Sequence, residues 1–184
     1  QLQLPGAALV RRAALHARII DPEQGPINIY CTQLTRDPGP EITYPADGPF
    51  DSFAQEHEAQ MEALLEYIES TRAGAPVVVL GDLGSGPDIG NNTGAFQGTF
   101  DRLLSEGQLK SPYLEASEPL CTVCVDNPLG SWTQDQVLDH SLVRDRELLD
   151  AARAFDGLWT VTTEAEEELL VPLSDRYGVS VRFR

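Results

Sequence analysis

A run of four apolar residues at positions 77–80 constrains the fold of this chain more than any other segment. The run reads Val-Val-Val-Leu without a polar interruption, and Gly81 and Asp82 follow it directly. Such a run is typical of a strand that is buried in the centre of a sheet. The sequence therefore predicts a central strand that ends at a carboxylate.

Alternating residues upstream of this run predict an antiparallel β-hairpin. Residues 15–19 and 27–31 each alternate apolar with polar side chains, which is the period of a half-buried strand. The segment between them, residues 21–26, contains Asp-Pro and Gly-Pro, and both dipeptides favour a reversal of the chain. The two strands are therefore expected to pair with each other through a longer loop.

Residues 51–72 are predicted to form an amphipathic helix. Ser52 and Gln55 make a capping box, and the apolar residues after them recur at helical spacing. Downstream, we expect a loop over 84–98, a short helix over 99–106 and irregular structure over 107–135. The last expected elements are a strand over 136–143, an acidic helical turn over 164–170 and a strand over 179–183.

Size and charge exclude several classes of function. A chain of 184 residues with 41% hydrophobic residues suits one globular domain with its own core. The formal net charge of −16 repels phosphate polyanions, so nucleic acid is not an expected partner. No apolar run is long enough to span a bilayer. Because the chain begins with Gln1 and has Met61 as its single methionine, we expect that an N-terminal part was cleaved or omitted.

The cysteines leave several chemistries open. Cys121 and Cys124 form a CxxC motif, which can be a local disulfide, two free thiols, a redox pair or half of a metal site. A structural zinc site needs about four ligands, and the sequence has neither a second CxxC nor two histidines at HxxxH spacing. A disulfide or a pair of free thiols is therefore favoured, and the state of Cys31 stays open.

Three carboxylates lie at the ends of apolar segments or within them. Asp82 ends the central strand, Asp139 lies inside the strand predicted over 136–143, and Asp175 precedes the last strand. A carboxylate beside a buried strand loses hydration, so it is usually paired, hydrogen-bonded or bound to a metal. A single carboxylate of this kind could simply cap a turn. Three of them in ordered sequence contexts predict a site.

Taken in order, four segments resemble motifs of the endonuclease/exonuclease/phosphatase superfamily, the DNase I-like phosphodiesterases. Residues 31–34 (Cys-Thr-Gln-Leu) resemble the family's Thr-His-Leu strand end, and residues 81–84 (Gly-Asp-Leu-Gly) resemble its Gly-Asp-Leu-Asn. Residues 138–140 (Leu-Asp-His) and 174–179 (Ser-Asp-Arg-Tyr-Gly-Val) resemble its Leu-Asp-His strand and its terminal Ser-Asp-His-Tyr-Gly-Val. Gln60 looks like the inward Gln of the family's helix. The resemblance implies an α+β fold that is half of a four-layer DNase I-like sandwich with a mostly antiparallel sheet.

The resemblance also implies the site. It makes Asp82, Asp139 and Asp175 the residual catalytic positions, with Asp175 a candidate metal ligand and Mg²⁺ or Ca²⁺ the cofactor of an active protein. Three positions depart from the family pattern, where the family's His, Asn and His are replaced by Gln33, Gly84 and Arg176.

These departures point to lost catalysis. Arginine does not release its proton in the working pH range, so Arg176 cannot act as a general base, and Gln33 cannot titrate. We expect a pseudoenzyme with a binding or structural role. The alternative is an active Mg²⁺-dependent phosphodiesterase or phosphatase with a rearranged site, acting on a phospholipid, a sugar phosphate or a nucleic acid.

Members of the family normally have a metal-binding Glu and an Asn in the N-terminal half of the domain. No segment of residues 1–184 resembles that half. These residues are expected to be the C-terminal half of the domain, and half of a sandwich leaves an apolar face exposed. We therefore expect a partner, either a separate chain with the N-terminal half or a second copy of this one. Because the CxxC segment also resembles a loop of some secreted bacterial members, a secreted or extracytoplasmic location is expected.

Overall fold

The computed structural model describes residues 1–6, 10–115, 119–164 and 166–184. Its main layer is a five-stranded sheet whose strands lie in chain order: β1 (Leu2–Gln3), β2 (Ala13–Asp21), β3 (Gly25–Gln33), β4 (Val77–Asp82) and β5 (Asp139–Arg144). Strands β3 and β4 are parallel, whereas the other neighbours are antiparallel. A parallel pair needs a long crossover, and α1 (Phe53–Thr71) lies in the connection between β3 and β4.

Strand β4 is buried on both faces, which confirms the central strand predicted from the apolar run. Val77 and Val79 lie in the core beneath the helices α1 and α2 (Gln97–Gly107), with Met61, Leu64, Ile68, Phe100 and Leu103. Val78 lies on the opposite face with Ile27 and Val143. The β2–β3 hairpin is also confirmed.

Helix α1 begins and ends where its sequence predicts. The Ser52 hydroxyl oxygen accepts from the Gln55 amide at 3.2 Å, and the Asp51 amide donates to Oε1 of Gln55 at 2.9 Å. The helix ends before Ala73 and Gly74, which have positive φ angles of 50° and 74°. A left-handed turn of this kind is a common helix terminus.

A second, smaller layer lies against the sheet. Strands β6 (Leu148–Ala154) and β9 (Gly178–Phe183) pair antiparallel, and Val181 and Phe183 of β9 pack on the face that carries Val78. Strands β7 (Leu158–Thr162) and β8 (Glu168–Pro172) form a separate antiparallel hairpin. The predicted last strand is confirmed as β9, whereas β1, β6 and the short helix α3 (Pro112–Glu115) were not predicted.

The acidic helical turn predicted over 164–170 is wrong, because this segment is the turn and second strand of the β7–β8 hairpin. Residues 160–163 (Thr-Val-Thr-Thr) are β-branched and favour a strand. The turn closes through the Thr163 amide, which donates to the Glu167 carbonyl at 2.9 Å. Ala165 lies outside the described residues.

Two other predicted elements have the expected type, but their boundaries shift by a few residues. The strand predicted over 136–143 begins only at Asp139, since Gln136 pairs instead with Val123 in an isolated bridge. The helix predicted over 99–106 is confirmed as α2.

No helix among the described residues is long and apolar enough to cross a membrane.

Exposed apolar side chains include those of β2 and of the β7–β8 hairpin. Leu15 and Ile19 of β2 are exposed, and Ile19 lies opposite Ile27 in the sheet. The β7–β8 hairpin exposes Leu158, Trp159, Val161, Leu169 and Leu170. This chain alone therefore leaves part of its apolar surface uncovered.

Candidate functional site

The topology of the sheet brings the predicted site residues to one edge. Gln33 ends β3 and pairs in register with Asp82 at the end of β4, and Asp82 pairs with Asp139 at the start of β5. The loop before β9 brings Asp175 and Arg176 to the same place. The cleft that results has a volume of about 470 Å³ and is lined by Val10, Arg12, Gln33, Arg36, Asp82, Trp132, Asp139, Asp175 and Arg176.

Arg176 bridges two of the three carboxylates. Its Nη1 lies 2.7 Å from Oδ2 of Asp82 and 3.5 Å from Oδ2 of Asp139. Asp82 also accepts from Nε2 of Gln33 at 2.9 Å and, through Oδ1, from the Gly84 amide at 3.0 Å. Two of the positions that depart from the family pattern, Gln33 and Arg176, thus both hold the carboxylate of Asp82.

The environment of this cluster shifts two pKa values. Burial raises the pKa of Asp139 to about 6, with Arg176 opposing the shift and the negative charge of Asp82 adding to it. Burial alone would lower the pKa of Arg176, but Asp82 and Asp139 outweigh it and the pKa is raised. Arg176 is therefore a permanent cation in this cleft, and Asp139 is the group that titrates near neutral pH.

Gly84 has no room for a side chain. Its φ is +61°, and a Cβ at this position would lie 2.5 Å from the backbone carbonyl oxygen of Thr35. An Asn like that of the family motif would need the chain at Thr35 to move. Gly84 does not line the cleft. Its backbone amide contributes to the site by donating to Oδ1 of Asp82.

None of the three histidines lines the cleft. His57 is buried against Phe96, with Nδ1 2.6 Å from the Thr35 carbonyl oxygen, and His140 is buried against Phe100, with Nε2 2.9 Å from the Ser85 carbonyl oxygen. Burial lowers the pKa of both to about 4, so both are neutral at pH 7. The third, His16, hydrogen-bonds Asn28 at 2.9 Å. The cleft thus has no imidazole base.

The described residues of the cleft do not fit a divalent cation. Mg²⁺ and Ca²⁺ need several oxygen ligands, yet Oδ2 of Asp82 and Oδ2 of Asp139 already face a guanidinium. Asp175 is exposed, and Ser174 Oγ lies 3.3 Å from its Oδ1. Within the described ranges, the single group of three potential ligands is Cys121, Cys124 and Asp135, away from the cleft lining.

The CxxC motif forms a disulfide between Cys121 and Cys124, which selects one of the alternatives that the sequence left open. Cys31 is free and exposed. Because the paired cysteines are not thiolates, the group that they make with Asp135 is not a metal site.

The disulfide loop supports the cleft through Thr122. The Thr122 hydroxyl oxygen accepts from the amides of Leu138 and Asp139 at 3.0 and 3.1 Å. Its backbone carbonyl accepts from the amide of Tyr177, next to Arg176, at 2.9 Å. Thr122 therefore ties the start of β5 to the loop that carries Arg176.

Arg12, Arg36, Trp132 and Thr122 are site residues that the sequence reasoning missed. Arg12 directly precedes β2, and Arg36 follows the end of β3, which is the strand that carries Gln33. In a chain with so large a negative charge, a basic residue beside a strand end is a sequence signal that could have identified these two arginines as site residues. Trp132 and Thr122 lie in the segment predicted to be irregular and carry no comparable signal.

The raised pKa of Asp139 predicts a specific pH dependence for Asp139→Asn. The folded chain takes up a proton on Asp139 at a pH where the unfolded chain does not, so this contribution to stability is present below about pH 4 and is lost as the pH rises through about 6. Urea unfolding at pH 4.5 and 7.5 should show that the stability of the native chain, relative to Asp139→Asn, is greater at the lower pH. An equal difference at both pH values would contradict the shift.

Thr122→Val is expected to destabilise the chain by about 1–3 kcal/mol, because two amides at the start of β5 lose their acceptor while the side-chain shape is kept. Urea unfolding measures the loss. Thr160→Val, on the exposed strand β7, is the matched control and should change stability by less than about 0.5 kcal/mol. Equal effects of the two substitutions would refute the role of Thr122.

No protein-family model matches this sequence, and neither does any curated protein. Solved structures do match. An endonuclease/exonuclease/phosphatase family protein from Bacteroides thetaiotaomicron aligns with a TM-score of 0.67 at 14% identity, over 95% of this chain and 56% of its own. The mannosyl-6-phosphatase of the same organism gives 0.64 at 16% identity, over 96% of this chain and 58% of its own. An endonuclease/exonuclease/phosphatase from Beutenbergia cavernae gives a TM-score of 0.60 at 16% identity, over 95% of this chain and 40% of its own.

This chain thus spans about half the length of the solved structures that it matches. The likeness confirms at the level of fold the resemblance inferred from the four motifs. The chain has the fold of about half of a DNase I-like endonuclease/exonuclease/phosphatase domain, with mixed helices and mostly antiparallel sheets.

Proposed function

We propose that this chain is a degenerate phosphodiesterase-like domain, a pseudoenzyme with a binding role. The observation that carries the proposal is the contact of the Arg176 guanidinium with both Asp82 and Asp139. A guanidinium keeps its protons at any working pH, so it holds these carboxylates as ion-pair partners. Asp82 and Asp139, to which the resemblance assigns residual catalytic positions, are thus both engaged with a permanent cation.

The absence of an imidazole base from the cleft lining supports the proposal. Hydrolysis of a phosphate ester needs a group that activates water, and loss of a general acid or base typically lowers a rate by about 10²- to 10⁴-fold. His57 and His140 are buried outside the cleft lining, and Gln33 does not titrate. Several such losses in one cleft leave little catalysis.

A second candidate is a metal-dependent phosphodiesterase or phosphatase with a rearranged site, using Mg²⁺ or Ca²⁺. Two observations favour it: Asp82, Asp139 and Asp175 meet in one cleft, and the pKa of Asp139 is raised to about 6, near the range suited to a general base. Its substrate would be a phospholipid, a sugar phosphate or a nucleic acid, and the net charge of −16 disfavours the last.

The uncovered apolar surface supports a partner. We propose that residues 1–184 are the C-terminal half of the domain and that another chain covers the exposed side chains of β2 and the β7–β8 hairpin. That chain carries the N-terminal half or is a second copy of this one. The Cys121–Cys124 disulfide supports a secreted or extracytoplasmic location, where disulfides persist.

A hydrolysis assay tests the proposed function. The chain, with any chain that copurifies with it, is incubated with bis(p-nitrophenyl) phosphate and p-nitrophenyl phosphate in millimolar Mg²⁺, Ca²⁺ or EDTA. We expect no metal-dependent release of p-nitrophenol above that of Asp82→Ala and Asp175→Ala. Metal-dependent turnover that both substitutions abolish would overturn the proposal and establish the second candidate. If a chain with the N-terminal half copurifies, it contributes its own metal ligands. Absence of turnover is then attributed to the residues of this chain.

A further inference from the structure

Cys121, Cys124 and Asp135 lie together in the segment that precedes β5, outside the lining of the cleft. The two sulfur atoms and one carboxylate oxygen of Asp135 are all within 4.8 Å of one another. In the disulfide form this group is not a metal site, because a metal binds the thiolate form of cysteine. Reduction of the disulfide would turn the same three side chains into two sulfur ligands and one oxygen ligand.

Backbone hydrogen bonds hold this group together independently of the disulfide. The amides of Thr122 and Val123 donate to the Gln136 carbonyl oxygen at 2.9 and 3.0 Å, and the Gln136 amide donates to the Val123 carbonyl oxygen at 2.9 Å. These bonds place the CxxC segment beside Asp135, the residue before Gln136. The carboxylate of Asp135 is oriented by the Val125 amide, which donates to its Oδ1 at 2.8 Å. The three side chains should therefore stay adjacent when the disulfide is reduced.

The guanidinium of Arg153 lies against the two cysteines. Its Nη1 is 3.7 Å from Sγ of Cys124 and 3.4 Å from the Cys121 carbonyl oxygen. The guanidinium is positioned by the ring of Tyr177, with its centroid at 4.4 Å, and by Oδ2 of Asp156, which lies 3.3 Å from Nε. A neighbouring cation favours the thiolate over the thiol, and outer contacts of this kind orient the ligands of a metal.

We propose that the reduced chain binds one Zn²⁺ through Cys121, Cys124 and Asp135, and that oxidation of the two cysteines releases it. The inference goes beyond the proposed function and does not depend on it. Thiolates are soft ligands, which select Zn²⁺ over Mg²⁺ and Ca²⁺. The group supplies three of the four ligands of a tetrahedral zinc site, and water completes it, as in zinc sites that keep an open position.

Charge and access both suit a cation here. Two thiolates and one carboxylate carry three negative charges, and the net charge of −16 on the whole chain adds to the attraction for Zn²⁺. Cys124 is buried, whereas Cys121 and Asp135 are half-buried. Zinc can therefore reach the group from the solvent side and exchange with it.

The exchange of disulfide for zinc balances as two steps. A dithiol reductant gives two electrons and two protons to the Cys121–Cys124 bond, which breaks to two thiols, and the reductant itself becomes a disulfide. Zinc binding then displaces the two thiol protons to solvent. An oxidising compartment favours the disulfide form, and a reducing compartment favours the zinc form.

Zinc titration of the full chain tests the proposal, with a chromophoric chelator as competitor. The parent is Cys31→Ser, which removes the free exposed thiol and leaves the CxxC pair as its cysteines. We expect one Zn²⁺ per chain after anaerobic reduction by a phosphine and none for the oxidised chain. Asp135→Asn should raise the Kd by about tenfold or more. Asp126→Asn is the matched control, because Asp126 is exposed in the same segment and lies outside the group; its Kd should equal that of the parent.

Cobalt substitution and thermal melts complete the test. Co²⁺ in the reduced parent should show thiolate-to-metal charge-transfer absorption, which Cys124→Ser should abolish, and Zn²⁺ should raise the Tm of the reduced parent. The inference is overturned by a reduced chain that binds no zinc, by zinc bound to the oxidised chain or to Cys124→Ser, or by equal Kd values for the parent and Asp135→Asn. A reduced chain that unfolds and is not restored by Zn²⁺ would overturn it as well.

Discussion

The ion cluster of Arg176 with Asp82 and Asp139 joins the two layers of this fold at its candidate site. Asp82 and Asp139 are fixed by the register of β4 and β5, whereas Arg176 comes from the loop that leads into β9. Two carboxylates side by side at the edge of a buried strand would repel each other and lose hydration. The guanidinium offsets part of both costs, and the pKa of Asp139 stays raised. Thr122 supports the arrangement from the disulfide loop, because it binds the backbone on both sides of the cluster.

The contacts that stabilise this cluster also limit its chemistry. A proton acceptor held by a permanent cation is a poor base, and carboxylate oxygens that face a guanidinium are poor ligands for Mg²⁺. The same cleft contains Arg12 and Arg36, whose charges lack carboxylate partners at salt-bridge distance within the described part of the chain. This is why we propose that the cleft is poorly suited to cleaving a phosphate ester.

The elements with strong periodicity were predictable and the positions of the cleft arginines were not. The β2–β3 hairpin, α1 and β4 follow from local alternation, capping and a continuous apolar run. The β7–β8 hairpin was misread because charged side chains at an exposed turn look like a solvated helix face, while the strand signal lies in the β-branched residues before it. Arg12 and Arg36 meet Arg176 only through the order of strands in the sheet, and a single sequence does not specify that order.

Calorimetric titration of Mg²⁺ into the chain tests most directly the claim that Arg176 has taken the place of a metal. The reference is the double variant Asp82→Asn/Asp139→Asn, which keeps the same surface charges elsewhere. The account predicts equal Mg²⁺ stoichiometry for the native chain and this variant, since Arg176 already engages both carboxylates. One additional Mg²⁺ bound by the native chain and lost in the double variant would contradict it, because the carboxylates would then prefer the metal to the guanidinium.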